Sequence, residues 1–181
     1  IALAKARPGQ LNYASSGYGA VSELAAETFS MMAGVKMQHI PYKGAGPALT
    51  ELIGGQVQLY FATSISTMPH IKSGKIRAIA ASGETRLSVL PDLPTFDESG
   101  LPGCCAQNWF GIVAPAGTPK AIVGKLSAEI AKIMRLPSTT AVLAGQGVEA
   151  FISTSEQFRA LMTADRARIM KVVKFANIKP R

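Results

Sequence analysis

The chain is 181 residues long, 48% hydrophobic and 17% charged, a balance that excludes a disordered chain or a coiled coil and fits one domain or two small lobes. Nineteen Lys and Arg residues against eleven Asp and Glu give a net charge of +8, which favours anionic partners. Aromatic residues are only 7%, and no basic–aromatic cluster offers a stacking platform for single-stranded nucleic acid. Mean hydropathy is +0.20, yet charges, Gly or Pro interrupt every apolar run short of the roughly 20 residues a spanning helix needs.

In chain order, residues 1–7 read as the end of a helix stopped by Pro8-Gly9. Residues 10–14 predict a short strand, followed by the turn Ser15-Ser16-Gly17-Tyr18-Gly19. Val21, Leu24, Ala25, Thr28, Phe29 and Met32 fall at helical spacing, and Gly34 marks the helix end. A strand over 36–40, a helix over 47–53, a buried strand over 57–61, a short helix over 66–73 and an apolar strand over 75–81 complete an alternating pattern. Such alternation predicts an α/β fold with a parallel sheet.

Residues 84–103 carry Pro91, Pro94 and Pro102 with little periodicity and read as an irregular connection. One more apolar strand is predicted over 109–114, and beyond it the pattern is helical. Thr118 reads as an N-cap with Pro119 at the first helical position, and Ile122, Leu126, Ile130 and Ile133 form the apolar stripe. A short helix follows over 137–144. Thr154 with Gln157 is a capping box opening a long helix whose inner face carries Phe158, Leu161, Met162, Ile169, Val172 and Val173. Its run of Lys and Arg reads as a solvated face. A helical tail of this kind has few strands of its own to pack on. It therefore reads as part of a second lobe whose sheet is encoded upstream of Ile1.

Cys104 and Cys105 are neighbours and cannot staple distant segments. His39 and His70 stand far apart with no Cys, Asp or Glu at ligand spacing, so no metal site is expected. Gly17-x-Gly19 has Ser22 where a dinucleotide fingerprint needs its third glycine. There is no Walker loop and no nucleophile elbow. No catalytic residue and no cofactor is assigned.

Two glycine-rich turns remain: Ser15-Ser16-Gly17-Tyr18-Gly19 and Pro41-Tyr42-Lys43-Gly44-Ala45-Gly46. Glycine lets backbone approach a ligand, a helix start favours an anion, and Ser15, Ser16 and Lys43 add donors and charge. At the carboxyl ends of neighbouring strands both would meet a ligand. The same turns also serve as ordinary tight connections. The first is expected to hold a carboxylate against the helix beginning near Ala20.

These turns, with Pro8-Gly9-Gln10-Leu11-Asn12-Tyr13, His39-Ile40-Pro41-Tyr42-Lys43-Gly44, Leu90-Pro91-Asp92-Leu93-Pro94 and Trp109-Phe110-Gly111-Ile112-Val113-Ala114-Pro115, resemble the periplasmic substrate-binding proteins of tripartite tricarboxylate transporters, the Bug family. The resemblance covers essentially the whole chain. It implies a type II periplasmic-binding-protein-like α/β fold, a two-lobed Venus flytrap closing on a small carboxylate. Residues 1–108 would be most of lobe two, and residues 109–181 the crossover strand and C-terminal part of lobe one, with the N-terminal part of lobe one upstream. The implied ligand residues are Ser15, Ser16, Gly17, Gly19, Tyr42, Lys43, Gly44, Ala62 and Thr63. Implied partners are the carboxylate and membrane transporter subunits, with no nucleic acid. A periplasmic location and an oligomeric fragment are expected.

Two positions depart from the family pattern. Glu23 stands where a His is often found, and Ala62-Thr63 replaces an Asp-Asn pair that faces the cleft. Loss of that Asp removes a partner for an amino group and points to a plain carboxylic acid. The competing readings are a ligand-sensing domain of a regulator and an enzyme acting on an anionic substrate.

Overall fold

The computed structural model describes residues 1–104 and 108–178. Its centre is a three-stranded parallel sheet in the order β2-β1-β3, with β1 at Asn12–Ser15, β2 at Gln38–Pro41 and β3 at Leu59–Tyr60. The register sets Tyr13 beside His39 and Leu59, and Ser15 beside Pro41. Because side chains alternate along a strand, Tyr13, Ser15 and His39 share one face, while Ala14 lies on the other.

Helix α1 spans Ala2–Ala6, α2 spans Val21–Ala33 and α3 spans Ala45–Ile53. Helix α2 covers the Tyr13 face. There Phe29, Phe61 and Phe96 pack around Ala33, Leu101 and Cys104. Helix α3 covers the opposite face, where Ala14, Ala48 and Val57 are buried among Ile40, Tyr42, Leu52 and Tyr60. Three parallel strands joined by helices bring every strand's carboxyl end to one edge of the sheet. Helix α4, Ser64–Lys72, starts at that edge after β3.

Two predicted strands are absent. Over 75–81 the structure shows one isolated bridge, Ala81 to Thr95. Thr95 and Glu98 cap each other's backbone there, with Thr95 N–H donating to Glu98 Oε2 at 2.8 Å and Glu98 N–H to Thr95 Oγ1 at 3.1 Å. Residues 109–114 form no ladder, and Phe110, Ile112 and Val113 are 71%, 75% and 75% exposed. Both segments have the composition of strands. Among the described residues neither has a neighbouring strand to supply hydrogen-bond partners, and composition alone makes no sheet.

Helix α5 runs Lys120–Met134 with Pro119, not Thr118, at the N-cap. The Thr118 hydroxyl instead donates to Pro115 O at 2.8 Å. Helix α6 runs Pro137–Gly145, and neither α5 nor α6 has a buried residue. The apolar stripe of α5 lies largely open, with Ile122, Leu126 and Ile133 exposed.

Helix α7, Ser155–Phe175, opens with the expected capping box at Thr154 and Gln157. The Trp109 indole donates to Asp165 Oδ2 at 3.1 Å and meets the Phe158 ring edge-on. A Cβ on Gly111 would come 2.2 Å from that ring, so the packing of Phe158 requires glycine there. Further along, α7 packs on α2 and buries Val172, while Phe175 reaches the groove beside Ala4, Met31 and Val35. Arg159, Arg166, Lys171 and Lys174 face solvent. Cys104 is buried; Cys105 lies outside the described residues.

This uneven burial is measurable in the 181-residue chain. Val172→Ala is expected to cost roughly 1–3 kcal/mol, whereas Leu126→Ala should fall within about 0.5 kcal/mol of wild type. Urea midpoints at constant m-value check both.

Candidate functional site

The candidate residues gather at the carboxyl edge of the sheet. Ser15 ends β1 and residues 16–19 follow it, residues 42–44 follow β2, and residues 61–63 follow β3. Since β1 lies between the other two, its turn is the middle one of the row. The first two turns are bonded to each other: Tyr42 N–H donates to Ser15 O and Gly44 N–H to Ser16 O, each at 3.0 Å. Gly17 lies at φ 142° with the Tyr42 carbonyl 3.4 Å from where a Cβ would stand. A side chain there would be both strained and crowded.

At its exposed rim Lys43 makes no ion pair among the described residues. Gly44 is the N-cap of α3, and Thr63 is the N-cap of α4 with its hydroxyl 3.2 Å from that of Ser66. Ala62 is half-buried beside it.

The first turn is engaged from inside. The Ser15 side chain is wholly buried, with Oγ 2.6 Å from His39 Nε2, and it accepts Gly17 N–H at 3.2 Å. Ser16 N–H donates to Ser22 Oγ at 2.9 Å, and Gly19 N–H donates to Glu23 Oε2. Glu23 Oε1 meets His39 Nδ1 at 3.1 Å. One helical turn on, Glu27 Oε1 accepts the Tyr13 hydroxyl at 2.5 Å. The His39 ring stacks on Tyr13 at 4.9 Å, with Tyr18 edge-on at 5.4 Å. The polar core of the site is therefore Ser15, His39 and Glu23, backed by Tyr13 and Glu27.

Glu23 enters the sequence reading only as a departure from pattern, and His39 only in the exclusion of a metal site and within the family motif. The signal for both is an acidic residue in the first helical turn after a strand, together with a histidine on the adjacent strand in register with the residue two before Ser15. That signal needs the pairing to be known.

Burial holds His39 below its ordinary 6.5, against the opposing pull of Glu23 and then Glu27. Burial, followed by the hydrogen bond and charge of Glu27, pushes the Tyr13 phenol far above its ordinary value. Ser15, His39 and Glu23 stand in the order of nucleophile, base and orienting acid. The Ser15 side chain is, however, wholly buried, and its hydroxyl is engaged with His39 and with the backbone of Gly17. Among the described residues no three His, Cys, Asp or Glu side chains cluster as metal ligands.

Residues 1–178 match the family model described as tripartite tricarboxylate transporter family receptor. The chain is similar to protein BugT of Bordetella pertussis, 34% identical over 174 residues that cover 96% of this chain and 53% of the relative. Among solved structures it is similar to the R. palustris protein with adipate, with a TM-score of 0.91, 34% identity and coverage of 99% of this chain and 60% of that one. The periplasmic binding protein BugD aligns with a TM-score of 0.85, 32% identity and coverage of 99% and 61%. MatC from Rhodopseudomonas palustris with bound malate aligns with a TM-score of 0.79, 30% identity and coverage of 95% and 60%. The α/β fold is thus that of periplasmic solute-binding proteins, in part: the chain spans about half the length of the curated relatives it matches.

The depressed His39 gives stability a pH signature. Below pH 6.5 the unfolded chain takes up a proton that folded His39 resists, so unfolding free energy rises with pH through that window and levels off above it. Urea midpoints between pH 5 and 7.5 should show this slope in wild type and a flatter one in His39→Asn.

Proposed function

The chain belongs to the tripartite tricarboxylate transporter receptor family, and on that premise we propose that it forms one wall of the ligand cleft in a periplasmic solute-binding protein. That protein captures a small organic carboxylate and presents it to the membrane subunits of a tripartite transporter. Residues 1–108 form most of lobe two, and residues 109–181 form the crossover segment and C-terminal part of lobe one. Closure of the two lobes as a Venus flytrap completes the cleft. The carrying observation is the row of three turns at one sheet edge, two of them joined by backbone hydrogen bonds.

Gly17, Gly19, Ser16, Tyr42, Lys43, Gly44, Ala62 and Thr63 line that edge, and Ser15 anchors it from beneath. Backbone N–H groups at helix starts suit a carboxylate, and the net charge of +8 draws anions. Ala62 and Thr63 offer no carboxylate for a ligand amino group, which favours a plain di- or tricarboxylic acid. Relatives solved with adipate and with malate support that class. The buried Ser15 supports a receptor over a hydrolase. The open apolar residues Phe110, Ile112, Val113 and Leu126 make self-association the expected state of the 181-residue chain, to be read from light scattering across a dilution series.

Because closure completes the cleft, the 181-residue chain alone should bind weakly or not at all, so the binding test uses amide NMR of the two-lobed protein with adipate, malate and aspartate. Adipate or malate should shift the Ser16, Gly17, Gly44 and Thr63 amides, with aspartate weaker. Lys43→Glu should weaken adipate binding on the order of three- to tenfold at low salt and less at high salt. Shifts scattered away from the three turns would overturn the assignment. Hydrolysis of a p-nitrophenyl ester by wild type but not by Ser15→Ala would favour the enzyme reading instead.

A further inference from the structure

We propose that Glu23, His39 and Ser15 are positioning residues, a proton-linked chain that sets the hydrogen-bond arrangement of the turn at residues 15–19. The observations are four contacts in series: Gly19 N–H to Glu23 Oε2, Glu23 Oε1 to His39 Nδ1 at 3.1 Å, His39 Nε2 to Ser15 Oγ at 2.6 Å, and Gly17 N–H to Ser15 Oγ at 3.2 Å. The chain begins and ends on backbone of the same five-residue turn. Its three side chains come from β1, β2 and α2.

Donor and acceptor rules fix the protons. A carboxylate only accepts, so Nδ1 carries the hydrogen that goes to Glu23. Neutral His39 then has an unprotonated Nε2, which accepts a hydrogen bond from the Ser15 hydroxyl and leaves Oγ to accept from Gly17 N–H. Protonation of His39 reverses one link. Nε2–H must now donate to Ser15 Oγ, and the Ser15 hydrogen turns to the other acceptor in reach, Gly17 O at 3.1 Å. Gly17 O also accepts Ala20 N–H at 3.3 Å, at the N-cap of α2. One proton on His39 therefore shifts bonds at both ends of the turn.

The titratable groups facing the ring are Glu23 and Glu27 from α2, Tyr13 from β1 and Tyr18 from the turn itself. The two carboxylates favour the charged ring and burial opposes it. That balance leaves the chain responsive to pH rather than locked in one form.

The inference concerns the turn that the proposed function assigns to the ligand, but its readouts need no ligand. A two-lobed protein that binds no carboxylate would defeat that function and leave this test intact. The experiment is a pH titration of the 181-residue chain followed by NMR of the His39 ring nitrogens and the Gly17 and Gly19 amides. Neutral His39 should show Nδ1 protonated and Nε2 bare, and both glycine amides should titrate at the His39 midpoint. Glu23→Gln keeps an acceptor for Nδ1–H but loses the charge, so the midpoint should fall by about one pH unit or more. Ser15→Ala should leave His39 titrating while the Gly17 shift at that midpoint is lost. The opposite tautomer in wild type, or glycine amides indifferent to His39, would overturn the proposal. So would a midpoint unmoved in folded Glu23→Gln.

Discussion

One buried and one half-buried carboxylate on the same helix, Glu23 and Glu27, lie against the sheet, and the arrangement of the site follows from satisfying them. Glu23 and Glu27 lie one helical turn apart on α2 and meet His39 and Tyr13 respectively. A buried carboxylate without partners is costly enough to unfold a domain of this size. The pairing therefore dictates how α2 sits on β1 and β2. It also dictates where the intervening turn must run, because Glu23 reaches back to Gly19 N–H. Along the same helix Thr28 and Ser30 are buried with their hydroxyls bonded to Leu24 O and Ala26 O. Among the described residues no buried side-chain nitrogen or oxygen lacks a partner.

The elements most legible in the sequence were those with local causes. Gly34 ends α2 in the left-handed conformation, and Thr154 with Gln157 caps α7 through both expected bonds. Both are set by neighbouring residues and need no tertiary knowledge. The two glycine turns were legible as strand-to-helix junctions for the same reason. Segments 75–81 and 109–114 were misread because a strand is a relation between two segments, and the second segment is invisible in periodicity. The role of His39 was hidden in the same way. Its partners are 24 residues before it for Ser15 and 16 for Glu23 in the chain, and only the β1–β2 register brings them together. Thr118 failed as a cap because its hydroxyl found Pro115 O first.

The distribution of burial sorts the chain into two regimes. Around the sheet, Tyr13, Ala14, Ser15, Ala26 and Ala48 are sealed from water. In α5 and α6 nothing is buried, although both are apolar enough to form cores. Between them α7 is tied at one end by Trp109 and Phe158 and at the other by Val172 on α2.

The position of Glu23 also bears on where a ligand's charge is felt. An acidic residue in the first turn of a helix offsets the partial positive charge at that end. Helix α2 has such a residue, while α3 and α4 have none in their first turns. Neither α3 nor α4 has a side-chain cap on its leading N–H groups, and Lys43 stands just before α3. In the proposed cleft, then, the middle turn supplies shape through Gly17 and a fixed backbone. Attraction for a carboxylate would then come chiefly from the two flanking helix starts, at Gly44 and Thr63. An anion seated between them would touch the middle turn without competing against Glu23 for Gly19, and the internal carboxylate and the captured one would stay on separate donors.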